Sequence, residues 1–396
     1  MEITHSKIEV VPERKPTSIL IQIFLVVNLL APVYTGFFDF TYEKIVILGL
    51  SIIFLISCLW YLRESFSWTD LIIGIVLATG LLYSRFLTQR GYVSLLYSAP
   101  FFITGFSLAI LFKYSLIPRR TFLIYTTLAL LPFLHAFFFK GIRLDGQGTL
   151  YAINRNSIPM RLIIATSLQV MNDCLQKRKY IIIFPSILTL VCAYYSNSRA
   201  GLLVAGLLFY IVLLSNILNK RQAWMKEHKG KAFILIVLFI CITIVGGYFV
   251  IQDTRLVSVG LEDPARKALI VEFLKQLTFR KLLTGFQPTL HYGLHSHSSY
   301  QTMVTYYGIS AFVIFYLILV SLLHYRKHSL VLFGLLGVWC VYSLVENLSP
   351  GFIGDFLLIP LLMVALYQKG TEFLPSKKKP MQLVRRMFGI ESSNEM

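Results

Sequence analysis

The sequence predicts a polytopic α-helical membrane protein, and its composition is the first reason. Of its 396 residues, 56% are hydrophobic and 14% are charged, and the mean hydropathy is +0.69. A soluble protein could not bury so much apolar surface. Apolar runs of about 17–25 residues recur along the chain, and each is long enough to cross a hydrocarbon core of about 30 Å.

Twelve apolar runs are predicted as membrane spans. They cover residues 18–36, 44–62, 70–87, 92–112, 121–139, 158–174, 180–197, 200–218, 232–251, 300–323, 329–346 and 352–368. Residues 1–17 are polar and charged, which is not typical of a cleavable signal peptide. The expected order is a cytoplasmic N-terminus (1–17), spans one to nine (18–251), a periplasmic loop (252–299), spans ten to twelve (300–368) and a basic cytoplasmic tail (369–396).

The lysines and arginines predict the orientation of the chain. With the N-terminus in the cytoplasm, most of the 37 basic residues fall in inner segments, including the clusters at 177–179, 220–231 and 377–379. This asymmetry follows the positive-inside rule and places both termini inside. The net charge of +18 therefore reflects topology and attraction to anionic lipid, and it does not require a nucleic-acid partner.

Six arginines depart from that rule because they lie at predicted outer turns. They are Arg85, Arg90, Arg143, Arg155, Arg161 and Arg199. A single arginine can extend its side chain to the headgroups, and this alternative stays open for Arg85 and Arg90. Arg199 lies in a turn of only a few residues, which argues against an incidental position. Since guanidinium grips phosphate through two parallel hydrogen bonds, the group predicts an anionic, lipid-linked ligand on the non-cytoplasmic side.

The long hydrophilic loop contains a predicted helix that begins at Asp263-Pro264, a capping carboxylate followed by proline. The helix places Ile270, Phe273, Leu274 and Leu277 on one stripe, with basic side chains around its polar side. Those basic residues are Arg266, Lys267, Lys275, Arg280 and Lys281. The pattern is typical of an amphipathic helix on a membrane surface, and a soluble helix packed on the bundle is the alternative.

Two histidines, His295 and His297, stand where the loop enters the tenth span. Metal ligation is one interpretation, but no acidic residue or cysteine lies nearby after Glu272, so neither a metal nor any other cofactor is expected. A purely structural hydrogen bond is a second interpretation. A general base at the membrane–water boundary is favoured, because imidazole titrates near neutral pH. All five cysteines fall inside predicted spans and are expected to be buried free thiols.

Three short motifs lie on the predicted outer face. The first is Ser198-Arg199-Ala200, and the second is Arg266 early in the helix of the large loop. The third is His297-Ser298, then nine residues, then Gly308-Ile309-Ser310-Ala311. Together these motifs resemble those of the O-antigen ligases, within the O-antigen ligase and polymerase-like membrane glycosyltransferases. Ala311 departs from the family pattern, which has glycine, threonine or tyrosine at that position.

The resemblance implies a GT-C-like fold with the site between the membrane helices and the periplasmic loop. It also implies a multi-pass protein of the bacterial inner membrane. The implied reaction transfers polysaccharide from undecaprenyl diphosphate to a sugar hydroxyl of lipid A–core, without metal or ATP. His297 is then the expected catalytic base, and Arg199 and Arg266 are expected to share the diphosphate charge. Substrate contacts are expected from Arg280, His295, Ser298 and the other outer arginines.

Two other functions remain open. An O-antigen polymerase uses the same donor but elongates the glycan, and such enzymes carry Arg-x10-Gly repeats in periplasmic loops. No arginine of the predicted outer segments has a glycine eleven residues later, whereas Arg63 and Arg326 do on the inner side, so the ligase is favoured. A transporter of lipid-linked glycan suits twelve spans, but no related halves are visible and few acidic residues lie within spans.

Overall fold

A computed structural model describes most of the chain as helix. The described residues are 15–34, 43–66, 70–72, 74–75, 78, 91–142, 144, 149–150, 153–227, 264–286, 298–348 and 353–373. Their helical, apolar character agrees with the predicted all-α membrane class.

Thirteen α-helices are labelled within the described residues. They are α1 (Ile19–Tyr34), α2 (Glu43–Leu62), α3 (Gly91–Tyr114), α4 (Arg119–Leu134), α5 (Ser157–Leu175), α6 (Phe184–Tyr195), α7 (Arg199–Glu227), α8 (Pro264–Gln276), α9 (Phe279–Thr284), α10 (Ser299–Tyr307), α11 (Ile309–His328), α12 (Leu330–Val345) and α13 (Asp355–Phe373). A π-helical turn, His135–Phe139, continues α4. Two short pairings accompany them: β1 (Lys15–Pro16) runs parallel to β2 (Ser115–Leu116), and β3 (Thr149–Leu150) runs antiparallel to β4 (Ile153–Asn154).

Four described segments are long and apolar enough to cross a membrane. These are Ile45–Leu62, Arg119–Phe139, Arg199–Leu218 and Ile309–His328. Five shorter apolar helices accompany them: Ile19–Tyr34, Ser98–Tyr114, Phe184–Tyr195, Leu330–Val345 and Asp355–Gln368. Of the twelve predicted spans, 70–87 lies mostly and 232–251 wholly outside the described residues, so the number twelve stays a prediction.

Helix α5 lies at the centre of the bundle, where it packs against α4, α6, α7, α12 and α13. Nearly all of its residues from 158 to 173 are buried, including several polar ones. The Thr166 and Thr189 hydroxyls pair at 2.7 Å and so satisfy each other between α5 and α6. Because α5 is enclosed on all sides, its two ends are held at fixed points of the bundle.

The end of α5 is fixed by an ion pair between a buried carboxylate and a partly exposed arginine. Asp173 is fully buried and its carboxylate accepts a hydrogen bond from Arg119, the first residue of α4, at 2.8 Å. Arg119 also donates to the backbone carbonyl of Tyr180. The side chain of Asn216 on α7 donates to and accepts from the backbone of Ile181 at 2.8 Å. These contacts hold α4, α5 and α7 together at the end where α5 finishes.

The predicted span 300–323 is wrong as a single helix, because the chain breaks at Gly308 between α10 and α11. Gly308 has φ of +49°, a conformation that side chains with a Cβ rarely adopt. A Cβ at this position would lie 2.4 Å from the backbone oxygen of Leu283. Gly308 therefore permits both the break and the close approach of α9, and the approach of α9 cannot be read from the apolar run.

Gly308→Ala is expected to destabilise the protein. Such a sparsely populated backbone conformation costs a residue with a Cβ about 1–3 kcal/mol, and the clash with Leu283 adds to that. Thermal unfolding of the purified protein in detergent measures the effect. Gly206→Ala is the matched control, because it lies inside α7 with nothing within 4 Å of an added Cβ, and its melting temperature should be equal or higher. A melting temperature for Gly308→Ala at or above that of the native protein would contradict the interpretation.

Candidate anion-binding site

The starts of α5, α7 and α10 meet the end of α12. A Cβ on Gly201 would lie 2.3 Å from Pro159, so the first turns of α7 and α5 touch. The Tyr342 hydroxyl, near the end of α12, donates to the backbone oxygen of Asn156 at 3.3 Å. The Ser298 hydroxyl, at the start of α10, donates to the backbone oxygen of Ser343 at 3.1 Å. We call this region the arginine end of the bundle.

Arg199 is the first residue of α7, and its neighbours fix its position. The buried Ser198 hydroxyl accepts a hydrogen bond from the Gly201 amide at 3.2 Å, which caps the helix. Asn197 turns the chain with φ of +52°, a conformation that asparagine tolerates better than most residues. The Ser-Arg-Ala motif therefore consists of a cap, a half-buried arginine at a helix start, and a residue leading into the contact with Pro159.

Arg155 and Arg161 lie on the two sides of the α5 start and differ in their contacts. Arg161 donates to the backbone oxygen of Val33 at 2.5 Å, which ties α5 to the end of α1. Arg155 stands in the turn just before α5, and its Nη1 atom is buried with no hydrogen-bond partner among the described residues. An unsatisfied buried N–H is costly, so Arg155 is the arginine whose geometry points to a ligand.

Two further polar atoms at the arginine end are buried without a partner in the described part of the chain. They are the Ser343 hydroxyl and the Asn347 side-chain oxygen. The neighbouring backbone is well satisfied, since Ser299 Oγ accepts from the Leu348 amide at 2.7 Å and donates to the Glu346 carbonyl at 3.0 Å. The segment after α12 is thus fixed in place, while polar groups beside it lack a protein partner.

The electrostatics at the arginine end favour an anion. Each helix start carries about half a positive elementary charge from its aligned peptide dipoles, and three starts converge here. None of the first turns of α5, α7 and α10 holds an acidic residue. Arg155 and Arg199 add two full charges, while Glu346 brings one carboxyl group to the same region. The balance suits a multiply charged anion such as a phosphate ester.

The structure brings together four of the predicted site residues: Arg155, Arg161, Arg199 and Ser298. Arg266 lies in the first turn of α8, and exposed Arg280 lies on α9. Five others lie outside the described residues, namely Arg85, Arg90, Arg143, His295 and His297. His297 directly precedes Ser298, but its role and the convergence of Arg199 with Arg266 stay predictions.

Sequence reasoning missed Ser343 and Asn347. Both follow or end an apolar run, and their place beside the α5 start depends on a contact far apart in sequence, from neighbouring Tyr342 to Asn156. The polar stretch Glu346-Asn347 directly after a span was the available signal.

Among the described residues, no group of three or more histidine, cysteine, aspartate or glutamate side chains is placed to hold a metal ion. Because His295 and His297 are not among these residues, metal independence stays a prediction.

Comparison with known proteins adds no assignment: no protein-family model matches the chain, and no curated protein matches it. The likeness to the O-antigen ligases therefore rests on the three motifs.

Proposed function

We propose that this protein is an O-antigen ligase of the bacterial inner membrane, with both termini in the cytoplasm and its site facing the periplasm. It would transfer polysaccharide from undecaprenyl diphosphate to a sugar hydroxyl of lipid A–core. The observation that carries the proposal is the arginine end, where three helix starts meet beside Arg155 and Arg199. A diphosphate on a membrane-anchored lipid has the charge and the location to occupy it.

The arginines would act on the leaving group. As the acceptor hydroxyl attacks the anomeric carbon, the bond to the glycosidic oxygen breaks and negative charge grows on the departing diphosphate. Positioned guanidinium groups stabilise that charge, and losing one such contact typically costs about 10²–10³ in rate. Arg199, Arg266 and Arg155 are assigned this role. A single displacement of this kind inverts the anomeric configuration.

His297 is assigned the role of the general base that accepts the proton of the acceptor hydroxyl, since a base within hydrogen-bond reach assists the attack. Ser298 is assigned a different role from the substrate contact that the sequence predicts. Its hydroxyl donates to the Ser343 carbonyl, so it fixes the backbone directly after His297. Ser298 is therefore a positioning residue.

The lipopolysaccharide of a strain lacking this protein tests the proposed function. We expect rough lipopolysaccharide, with full-length glycan accumulating on undecaprenyl diphosphate, because the final transfer is missing. Expression of the native gene should restore the long glycan. Core capped with a single repeat unit would identify a polymerase instead, and lipid-linked glycan confined to the cytoplasmic leaflet would identify a transporter.

Arg155→Gln should lower activity without lowering stability. Turnover of the lipid-linked donor is expected to fall about 10²–10³-fold. The melting temperature should stay equal or rise, since a buried N–H without a partner is removed. Arg161→Gln is the matched comparison, because it deprives the Val33 carbonyl of its partner and should destabilise the protein by about 1–3 kcal/mol. If folded Arg155→Gln turned over the lipid-linked donor at the rate of the native protein, Arg155 would not be part of the site.

His297→Ala should abolish transfer while expression and membrane insertion stay normal, because the change removes a base and no packing contact is expected to depend on it. The measurement is glycan transfer by purified protein, with His295→Ala as control. His295 lies outside the motif spacing, so its loss should have the smaller effect. Near-normal long-chain lipopolysaccharide made by His297→Ala would refute the assignment.

A further inference from the structure

Helix α8 has two apolar faces, of which only one is covered. Leu269 and Phe273 are buried, and Phe273 stacks on Phe286 with ring centroids 5.7 Å apart. Ile270 and Leu274 lie about 100° further around the helix, and they are 45% and 57% exposed. The single stripe predicted from sequence is therefore divided, because Phe273 turns inward while its neighbours stay uncovered.

Helix α9 also has an uncovered apolar face. Phe279 and Leu283 are four residues apart, so they share one side of the helix, and they are 77% and 40% exposed. Arg280 is exposed beside them, and the Lys281 ammonium lies 5.0 Å from the ring centre of Phe286. An aromatic residue with that much exposure calls for an apolar surrounding that the described protein does not supply.

Helix α9 lies beside the start of α11, which is one of the candidate membrane spans. The Phe286 amide donates to the Thr305 carbonyl at 2.8 Å, and the Leu283 carbonyl contacts Gly308. These contacts place α9 at the start of α11. An exposed apolar stripe begins there and runs the length of α11: Ile309, Phe312, Val313, Tyr316, Leu319 and Leu323.

The charge of the segment complements an anionic surface. Residues 264–286 contain five basic residues and one acidic residue. On α8, Lys275 and Ala268 are exposed and lie about 140–160° around the helix from Ile270, given 100° per residue. The uncovered apolar arc extends through Val271, which is 44% exposed, and Lys275 lies at its edge, as in helices that lie in the headgroup region of a bilayer.

We propose that α8 and α9 lie in the membrane interface, where their uncovered face contacts phospholipid. Ile270, Leu274, Phe279 and Leu283 would reach the acyl chains, and Lys275 and Arg280 would contact anionic headgroups. Lipid is favoured over a second copy of the chain because α9 contacts the start of α11, whose exposed apolar stripe lies on a segment long enough to cross a membrane. The inference rests on membrane embedding and is independent of the transfer reaction.

Photo-crosslinking of the full-length protein tests the contact. The photoreactive residue p-benzoylphenylalanine replaces Leu274 or Phe279. Exposed Ala268, about 120° around α8 from Leu274 at 100° per residue, is the matched control. Each protein is reconstituted in vesicles of phosphatidylethanolamine and phosphatidylglycerol, irradiated and analysed by mass spectrometry. Phospholipid adducts should form at 274 and 279 in at least tenfold excess over 268. Equal yields at all three positions, or crosslinks joining two copies of the chain, would overturn the proposal.

A double variant tests the contact with anionic headgroups. Lys275→Gln/Arg280→Gln changes exposed side chains, so the melting temperature should not move, which separates loss of contact from loss of fold. Adducts at 279 in the native background should be enriched in phosphatidylglycerol relative to the vesicle. In the double variant that enrichment should disappear while adduct formation continues. Unchanged enrichment would show that these cations do not select the lipid.

Discussion

The contact between Gly201 and Pro159 determines the arrangement of the arginine end. It lets the first turns of α7 and α5 touch, with no room for a Cβ between them. Two helix starts at this distance bring like partial charges together, and the start of α10 adds a third. Packing of the central helix α5 must offset this repulsion in the free protein. A bound anion would remove the repulsion, so the same geometry that costs stability favours binding.

Arg155 is a second feature that costs stability in the free protein and favours binding of an anion. Its buried Nη1 has no partner among the described residues, whereas Arg161, six positions later, is satisfied by the Val33 carbonyl. Such a buried group is costly and needs a physical explanation, of which a bound ligand is one. Arg161 therefore holds two helices together, whereas Arg155 has a buried N–H that a ligand could satisfy. Their sequence context alone did not distinguish them.

Composition and periodicity predicted the helical class and most helix positions, since apolar runs must form helices in a membrane. The helix start at Pro264 also followed from local chemistry and is confirmed by α8. The close approach of α9 at Gly308 did not follow, because it depends on the backbone of Leu283, from another part of the chain. Ser343 and Asn347 were not predicted as site residues for the same reason, because tertiary packing determines their neighbours.

The nine-residue spacing of the third motif acquires a physical meaning from α10. The nine residues between Ser298 and Gly308 are the helix Ser299–Tyr307. One end is tied to α12 by the Ser298 hydroxyl, and the other is fixed where Gly308 meets the backbone of Leu283. One residue more would rotate that junction by about 100° and place a side chain against the carbonyl. The spacing thus links helices α8 and α9 to Ser298, the residue that directly follows His297 in the sequence.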